Sequence, residues 1–301
     1  MPSLPTSDFR LPTSVYAHPD IDRLIRFALD EDLRSRGDLT CQALVPAGAR
    51  LHAVLTAKQA GVVCGLELFR RVARELGCDL AVGFELRDGE RIDCGTVVWQ
   101  GDGDATGMLI VERTALNLVQ RLSGTATLTR RFVQAVAGCR VGIFDTRKTT
   151  PGLRLLQKHA VVAGGGRNHR FGLYDQVLIK DNHIALMEGS SPAAAVRRAR
   201  QRVGPKPVIA VEIERLDDLA PCVRCGADVV LCDNMTSEQL REAVRIRDAT
   251  LSERPVELEA SGGITLATVR AYAETGIERI SVGALTHSAA SLDLSLRCTV
   301  V

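Results

Sequence analysis

Apolar and polar positions follow different rhythms along this chain, and the changes of rhythm divide it. Residues 1–19 show no periodicity and carry four prolines, which predicts an irregular arm. From Asp20, the residues Ile21, Leu24, Ile25, Ala28 and Leu29 fall on one helical face. The segment GDLTCQALVP (37–46) reads as a turn and polar connection. Residues 51–63 read as strand material, 65–76 as a helix stopped by Gly77, and 81–100 as short strands broken at Asp88-Gly89 and Cys94-Gly95. Together these predict a layer of antiparallel strands with helices on one face. A longer helical pattern covers about 108–136, with Gly124 interrupting it and marking a domain boundary. Arg113 and Asn117, four apart, share one face of it.

After Gly138 short β-branched runs alternate with helical segments. Strands are expected at 141–144, 177–179, 208–213, 229–231, 256–259 and 280–282. Ser191-Pro192 is an N-cap followed by a proline at the first helical position. Thr236 with Gln239 resembles a capping box, and Thr265 precedes a helix expected to end at Gly276. Strand–helix alternation predicts right-handed βαβ units and a parallel sheet, either open and doubly wound or closed as an α/β barrel. The strand ends favour the barrel. They carry Asp145-Thr146-Arg147-Lys148, Lys180-Asp181-Asn182, Glu212 and Glu214, Asp233-Asn234, Ser261-Gly262-Gly263 and Val282-Gly283-Ala284. In α/β barrels the active site lies at the C-terminal ends of the strands, and loops after the last strands often bind phosphate. Backbone N–H groups of the two glycine loops suit that role, aided by a helix starting after Thr265.

The charge distribution sharpens the picture. Net charge is only +2 over 301 residues, whereas 145–183 holds seven Lys/Arg against three Asp, or +4. This stretch also contains His159, His169, His183 and the run Gly164-Gly165-Gly166. Such a concentration points to a site for something small and multiply anionic. A near-neutral chain with 4% aromatic residues argues against nucleic acid as a partner. No apolar run is long enough to span a bilayer, and the first residues lack a secretion signal. Nine scattered cysteines, with one CxxC at Cys222 and Cys225, fit free thiols in a cytoplasmic protein. Arginines capture carboxylate or phosphate, lysines neutralise charge, and carboxylates among them suit Mg²⁺ held with substrate phosphates. No Ser-His-Asp, Cys-His, HxxxH or clustered-Cys arrangement offers another chemistry. The inventory therefore suggests displacement at a phosphorylated sugar or at phosphorus. A Schiff-base barrel lyase using Lys148 or Lys180, and a ligand-binding protein on a degenerate barrel, stay open as alternatives.

The segments DTRKTTPGLR (145–154), GGGRNHRFGLYD (164–175) and LIKDNH (178–183) together resemble the quinolinate phosphoribosyltransferase family, also called nicotinate-nucleotide pyrophosphorylase (carboxylating). EDLRSRGDLT, ERTALNLVQRLSGTAT, VEIE, LCDNMT, LEASGGI and ISVGALTHS extend the resemblance, in family order, from about Asp20 to the end. The resemblance implies an N-terminal α/β sandwich (20–124) and an incomplete C-terminal α/β barrel (125–288), with the tail 289–301 returning to the first domain. It implies transfer of phosphoribosyl from 5-phosphoribosyl-1-pyrophosphate to quinolinate, with Mg²⁺, giving nicotinate mononucleotide, pyrophosphate and CO2. It also implies a homodimer with shared active sites. By motif, Arg147, His169, Arg170 and Lys180 hold the quinolinate carboxylates with Arg113 of the other subunit. Lys148 and Thr146 contact the phosphoribosyl donor, and Glu212 and Asp233 lie by the ribose and the metal-bound pyrophosphate. Ser261, Gly262, Gly263, Val282, Gly283 and Ala284 hold the 5-phosphate. Between Glu212 and Glu214 the functional carboxylate is not decided. The nearest rival is a phosphoribosyltransferase for a monocarboxylate such as nicotinate, for which the cation cluster is larger than needed.

Overall fold

Two sheets of opposite character organise the chain, as described by a computed structural model over residues 11, 14–187 and 191–301. The first part of the expected N-terminal arm, 1–10 and 12–13, lies outside the described residues. The chain forms two compact units. One comprises 11–130, 150–165 and 288–301, and the other 131–149 and 166–287.

The first unit contains strands β1 (Arg50–Ala57), β2 (Gly61–Val62), β3 (Leu80–Glu85), β4 (Arg91–Ile92) and β5 (Val97–Asp104), plus β12 (Leu294–Val300) from the far end of the chain. The four longer strands form an antiparallel sheet in the order β12-β1-β5-β3, and β2 pairs with β4. Strict alternation in β1 buries Leu51, Ala53, Leu55 and Ala57 on one face. The helix Leu68–Leu76 covers that core, with Phe69 stacked on Trp99 at 4.7 Å between centroids. It stops at Gly77, whose φ of 73° is the left-handed conformation glycine tolerates. The helix Pro19–Leu33 buries Ile21, Ile25 and Leu29, the predicted face.

Three expectations for this unit need correction. Residues Val15–Ala17 form a 3-10 turn with Val15 and Tyr16 buried, rather than part of an irregular arm. Residues Leu39–Leu44 are helical, because the Asp38 carboxylate caps the Cys41 N–H at 2.9 Å; too short for a visible period, they read as a turn. The long helix runs unbroken from Ala105 to Ala135, so Gly124 does not interrupt it. A side chain at Gly124 would collide with the backbone oxygen of Ala290, so glycine is there for the close approach of the C-terminal tail.

The helix Arg154–Ala163 also belongs to this unit. Its His159 Nε2 lies 2.7 Å from Asp88 Oδ2, which also accepts the Tyr16 hydroxyl, while Asp88 Oδ1 accepts the Gly65 N–H at 2.7 Å. Burial alone would raise the Asp88 carboxyl, but these donors hold it below its usual range. Cys64, Asp88 and His159 bring ligand-type atoms within 4.8 Å of one another, a grouping no spacing in the chain announced.

The second unit contains β6 (Gly142–Phe144), β7 (Val177–Ile179), β8 (Ile209–Ile213), β9 (Val229–Asp233), β10 (Glu257–Ser261) and β11 (Arg279–Ser281). All pair in parallel, in the order β6-β11-β10-β9-β8-β7. A doubly wound sheet reverses direction inside its strand order. Here β7 to β11 are neighbours in chain order, and the first strand, β6, pairs with the last, β11. That is the order of an α/β barrel left open between its first and second strands. Ser191 caps the helix Pro192–Val203, and Thr236 with Gln239 forms the expected capping box. The helix after β10 starts at Val269 rather than just after Thr265 and spans five residues, so its dipole does not reinforce the Ser261–Gly263 loop.

Candidate active site

Most side chains expected in the site follow from where a strand stops. β6 delivers Asp145, fully buried, whose Oδ1 accepts the His169 N–H at 2.9 Å. The Arg167 N–H donates to Ile143 O and the Asp145 N–H to Arg167 O, so residues 167–170 run alongside β6. Asp175 then closes a turn by accepting the N–H groups of Phe171 and Gly172, and β7 begins two residues later. β7 ends at Lys180, whose Nζ meets Glu212 Oε2 at 2.7 Å. Glu212 is the half-buried position of β8 between buried Val211 and Ile213. Glu214 lies in the bend beyond the strand, exposed, and does not continue the alternation. β9 ends at Asp233, whose Oδ2 accepts Asn234 Nδ2 at 2.7 Å. Asn234 takes the left-handed φ of 53° and donates its N–H to Ser261 O. Gly262, at φ 98°, follows; any Cβ there would strike the Asn234 side chain.

These strand ends enclose a cavity of about 440 Å³. It is lined by Thr146, Arg147, Lys148, His169, Arg170, Lys180, Glu212, Asp233, Ser261 and Gly262 of the predicted site. Gly263, Val282, Gly283 and Ala284 are not in its wall, although Gly283 packs against Lys148, and Thr286 Oγ1 donates to Lys148 O at 2.8 Å. Arg113 is exposed on the helix Ala105–Ala135, in the other unit. A larger cavity of about 810 Å³ is lined largely by residues before β6, β10 and β11, such as Arg140, Val256 and Glu278. That is the N-terminal end of the strands, so size does not select it.

The electrostatics are those of an anion site. Burial, then the neighbouring Arg147, push the Arg170 guanidinium below its ordinary range. Arg147 Nε is buried without a hydrogen-bond partner. Burial, then Glu212, with a smaller push from Glu214, raise the Asp233 carboxyl, and Lys180 and Lys148 oppose the rise. The cavity thus brings cations, from buried Arg170 to exposed Lys148, together with a carboxylate pair. Not all the charge of 145–183 gathers there. Arg154, Lys158 and Arg167 are outside the cavity wall, and Lys158 is fully buried in the first unit.

Residues 38–123 match the family model for the N-terminal domain of quinolinate phosphoribosyl transferase, and 125–297 the model for its C-terminal domain. The chain belongs to the quinolinate phosphoribosyltransferase family. It is 40% identical over 283 residues to a probable nicotinate-nucleotide pyrophosphorylase (carboxylating) of Bacillus subtilis, covering 94% of this chain and 95% of the relative. With the nicotinate-nucleotide pyrophosphorylase (carboxylating) of Mycobacterium leprae it shares 42% identity, covering 90% and 95%. The solved nicotinate-nucleotide pyrophosphorylase of Francisella tularensis superposes with a TM-score of 0.86 at 34% identity, covering 96% and 100%. The sandwich plus incomplete barrel is therefore the family's fold in this chain.

In this quinolinate phosphoribosyltransferase family member, sequence reasoning gave no role to wall residues Asn234, Glu259 and Ser281. Glu257 and Glu259, two apart in a strand otherwise flanked by apolar residues, were the available signal. Side chains two apart share a face, and two acids on the inner face of a strand need partners.

Proposed function

We propose that the chain transfers phosphoribosyl from 5-phosphoribosyl-1-pyrophosphate to quinolinate with loss of CO2, giving nicotinate mononucleotide and pyrophosphate. The observation that carries this is one cavity that gathers Arg147, Arg170 and Lys180 with Glu212 and Asp233. Two like-charged guanidiniums, Arg170 buried and Arg147 half-buried, suit an acceptor with two carboxylates better than nicotinate with one. Arg147, His169, Arg170 and Lys180 orient the acceptor so that its ring nitrogen faces the sugar, and Arg113 of a second copy completes the cluster in a homodimer. Lys148, Thr146 and the loops 261–263 and 282–284 hold the donor's phosphates. Glu212 and Asp233 flank the ribose and stabilise the positive charge that develops as pyrophosphate leaves. The cations then favour the negative charge left on the ring carbon by departing CO2, and a proton from water takes up that electron pair to give the product's C–H.

The residues fit Mg²⁺. Glu212 and Asp233 offer hard oxygen donors, and among the described residues no third His, Cys, Asp or Glu ligand joins them. Mg²⁺ commonly binds through one or two carboxylates, several waters and substrate phosphates. Bound there, it supplies charge neutralisation for the leaving pyrophosphate. The Lys180–Glu212 ion pair suits anion neutralisation rather than a Schiff-base lyase. A cytoplasmic location is supported by nine free cysteines, and no helix among the described residues is long and apolar enough to cross a membrane.

The test is purified protein with Mg²⁺, 5-phosphoribosyl-1-pyrophosphate and either quinolinate or nicotinate. Product from quinolinate alone is expected. Turnover of nicotinate instead would overturn the assignment of the cation cluster, and turnover of neither would overturn the activity.

A further inference from the structure

The interior of the parallel unit carries a chain of charges where an apolar core would suffice. Glu257 and Glu259 point from β10 to the same side, and both are buried. Arg279 of β11 is 1% exposed; its Nε donates to Glu259 Oε2 at 2.7 Å and its Nη1 to Glu257 Oε2 at 3.2 Å. Its guanidinium lies over the Phe144 ring of β6, 4.0 Å from the centroid. The other oxygen of Glu259 accepts the Ser281 hydroxyl and stands 3.4 Å from His169 Nε2. His169 Nδ1 in turn accepts the Arg170 N–H at 2.7 Å, which assigns the ring proton to Nε2, facing Glu259. The chain ends in the cavity wall, where Glu259, Ser281, His169 and Arg170 all lie.

Buried ion pairs are often no more stabilising than well-packed apolar residues of similar volume. Barrel interiors are usually filled with branched apolar side chains. Glu257, Arg279 and Glu259 therefore need a reason beyond stability. Burial alone would push the Glu259 carboxyl up, yet His169 and Arg279, with Ser281, hold it well below the usual range. What this charged carboxylate does is hold one edge of the His169 ring, whose other edge holds the backbone of Arg170.

We infer that Glu259, anchored by Arg279, is a positioning residue: through His169 it fixes the His169–Arg170 corner from which the acceptor's carboxylates are bound. The inference rests on the reading that this cavity binds quinolinate. It separates two groups of wall residues. Glu259 acts on the acceptor side, whereas Glu212, Asp233 and the glycine loops serve the donor.

The test is steady-state kinetics and calorimetric quinolinate binding for Glu259→Gln, His169→Ala and the double variant. Wild-type turnover of quinolinate is measured first, so failure of the underlying reading appears before any variant is compared. Glu259→Gln is expected to raise the quinolinate KM and Kd at least tenfold and leave the donor KM within about twofold. In the His169→Ala background the same change is expected to add less than twofold, because residues acting in series are not additive. Additive losses would overturn the inference. So would a fall in kcat with the acceptor KM and Kd unchanged, which is what a purely structural role predicts. Should Glu259→Gln not fold, Arg279→Lys keeps the interior cation but loses the two-carboxylate grip. It is expected to raise the acceptor KM selectively, and equal changes in both KM values would refute the assignment.

Discussion

Replacing Arg170 by methionine should move stability and activity in opposite directions. Arg170 is 8% exposed, and the hydrogen bond from its guanidinium to Gln176 O is long, at 3.4 Å. Burial and Arg147 depress its guanidinium, with Asp175 opposing. The sign follows directly. A cation whose folded pKa lies below its unfolded value is disfavoured by folding, and the cost is present wherever the group is charged, which includes all neutral pH. Methionine fills a similar volume without the charge, so the ligand-free protein should gain on the order of 0.5–2 kcal/mol. At about 2–4 °C per kcal/mol for a unit of this size, the melting temperature should rise by a few degrees. Catalysis should lose one cation facing the acceptor's carboxylates, which costs roughly 2–4 kcal/mol of transition-state stabilisation. At 1.36 kcal/mol per decade that is about a 30- to 900-fold fall in kcat/KM for quinolinate. Differential scanning calorimetry without ligand and initial rates with quinolinate varied would measure the two arms. Arg170→Lys, which keeps a charge, should not show the stability gain. A methionine variant that melts earlier than wild type and keeps kcat/KM within threefold would refute the reasoning on both counts.

Glu212→Gln should lower kcat at least tenfold, whereas Glu214→Gln, on an exposed bend, should stay within twofold; equal effects in initial-rate assays would undo the choice between them. Lys148→Ala should cut kcat/KM at least tenfold with the circular dichroism spectrum unchanged, since its side chain is exposed and its backbone oxygen keeps the Thr286 hydrogen bond. Asp88→Asn should cost about 1–3 kcal/mol at pH 7 by weakening the acceptor shared by Tyr16, His159 and Gly65. The depressed Asp88 carboxyl contributes stability that is fully present above its unfolded pKa of about 3.9 and is lost as pH falls through the folded value. The gap between wild type and variant in urea melts should therefore close in acid, and a constant gap would contradict the assignment. Gly124→Ala should destabilise the protein despite a helix-propensity gain of about 1 kcal/mol, because the new methyl meets the Ala290 carbonyl; a rise in melting temperature would show that the tail yields.

The parallel unit was largely legible in the sequence, for a physical reason. In βαβ units the buried strand is a short β-branched run, and the chemistry must sit where that run stops. Asp145 to Lys148, Lys180, Glu212 and Asp233 could therefore be found by reading the ends of apolar runs. Caps at Ser191 and Thr236 were legible because one side chain makes the cap within its own turn. What escaped depends on partners far along the chain. Gly124 answers to Ala290, and Glu259 to Arg279 and His169. Lys158 adds to the local charge but is buried outside the cavity wall. Glu214 differs again, because the strand whose alternation put it beside Glu212 ends at Ile213. Family resemblance supplied the remaining expectations, including a role for Arg113, which spacing alone left as an exposed helix position.

From residue 14 onward the chain passes between the two units at 130/131, 149/150, 165/166 and 287/288, four times in all. No single cut of the gene can therefore release either half whole. A fragment beginning in the long helix would carry Leu155, Leu156, Ala160 and Val161 without the unit that buries them. A fragment ending there would lack β12 and leave β1 as a bare sheet edge, a template for aggregation. Each half is stitched shut by sequence belonging to the other's stretch of the gene. Modular shuffling, which works for domains strung end to end, should fail here, and the two halves should be inherited and lost together.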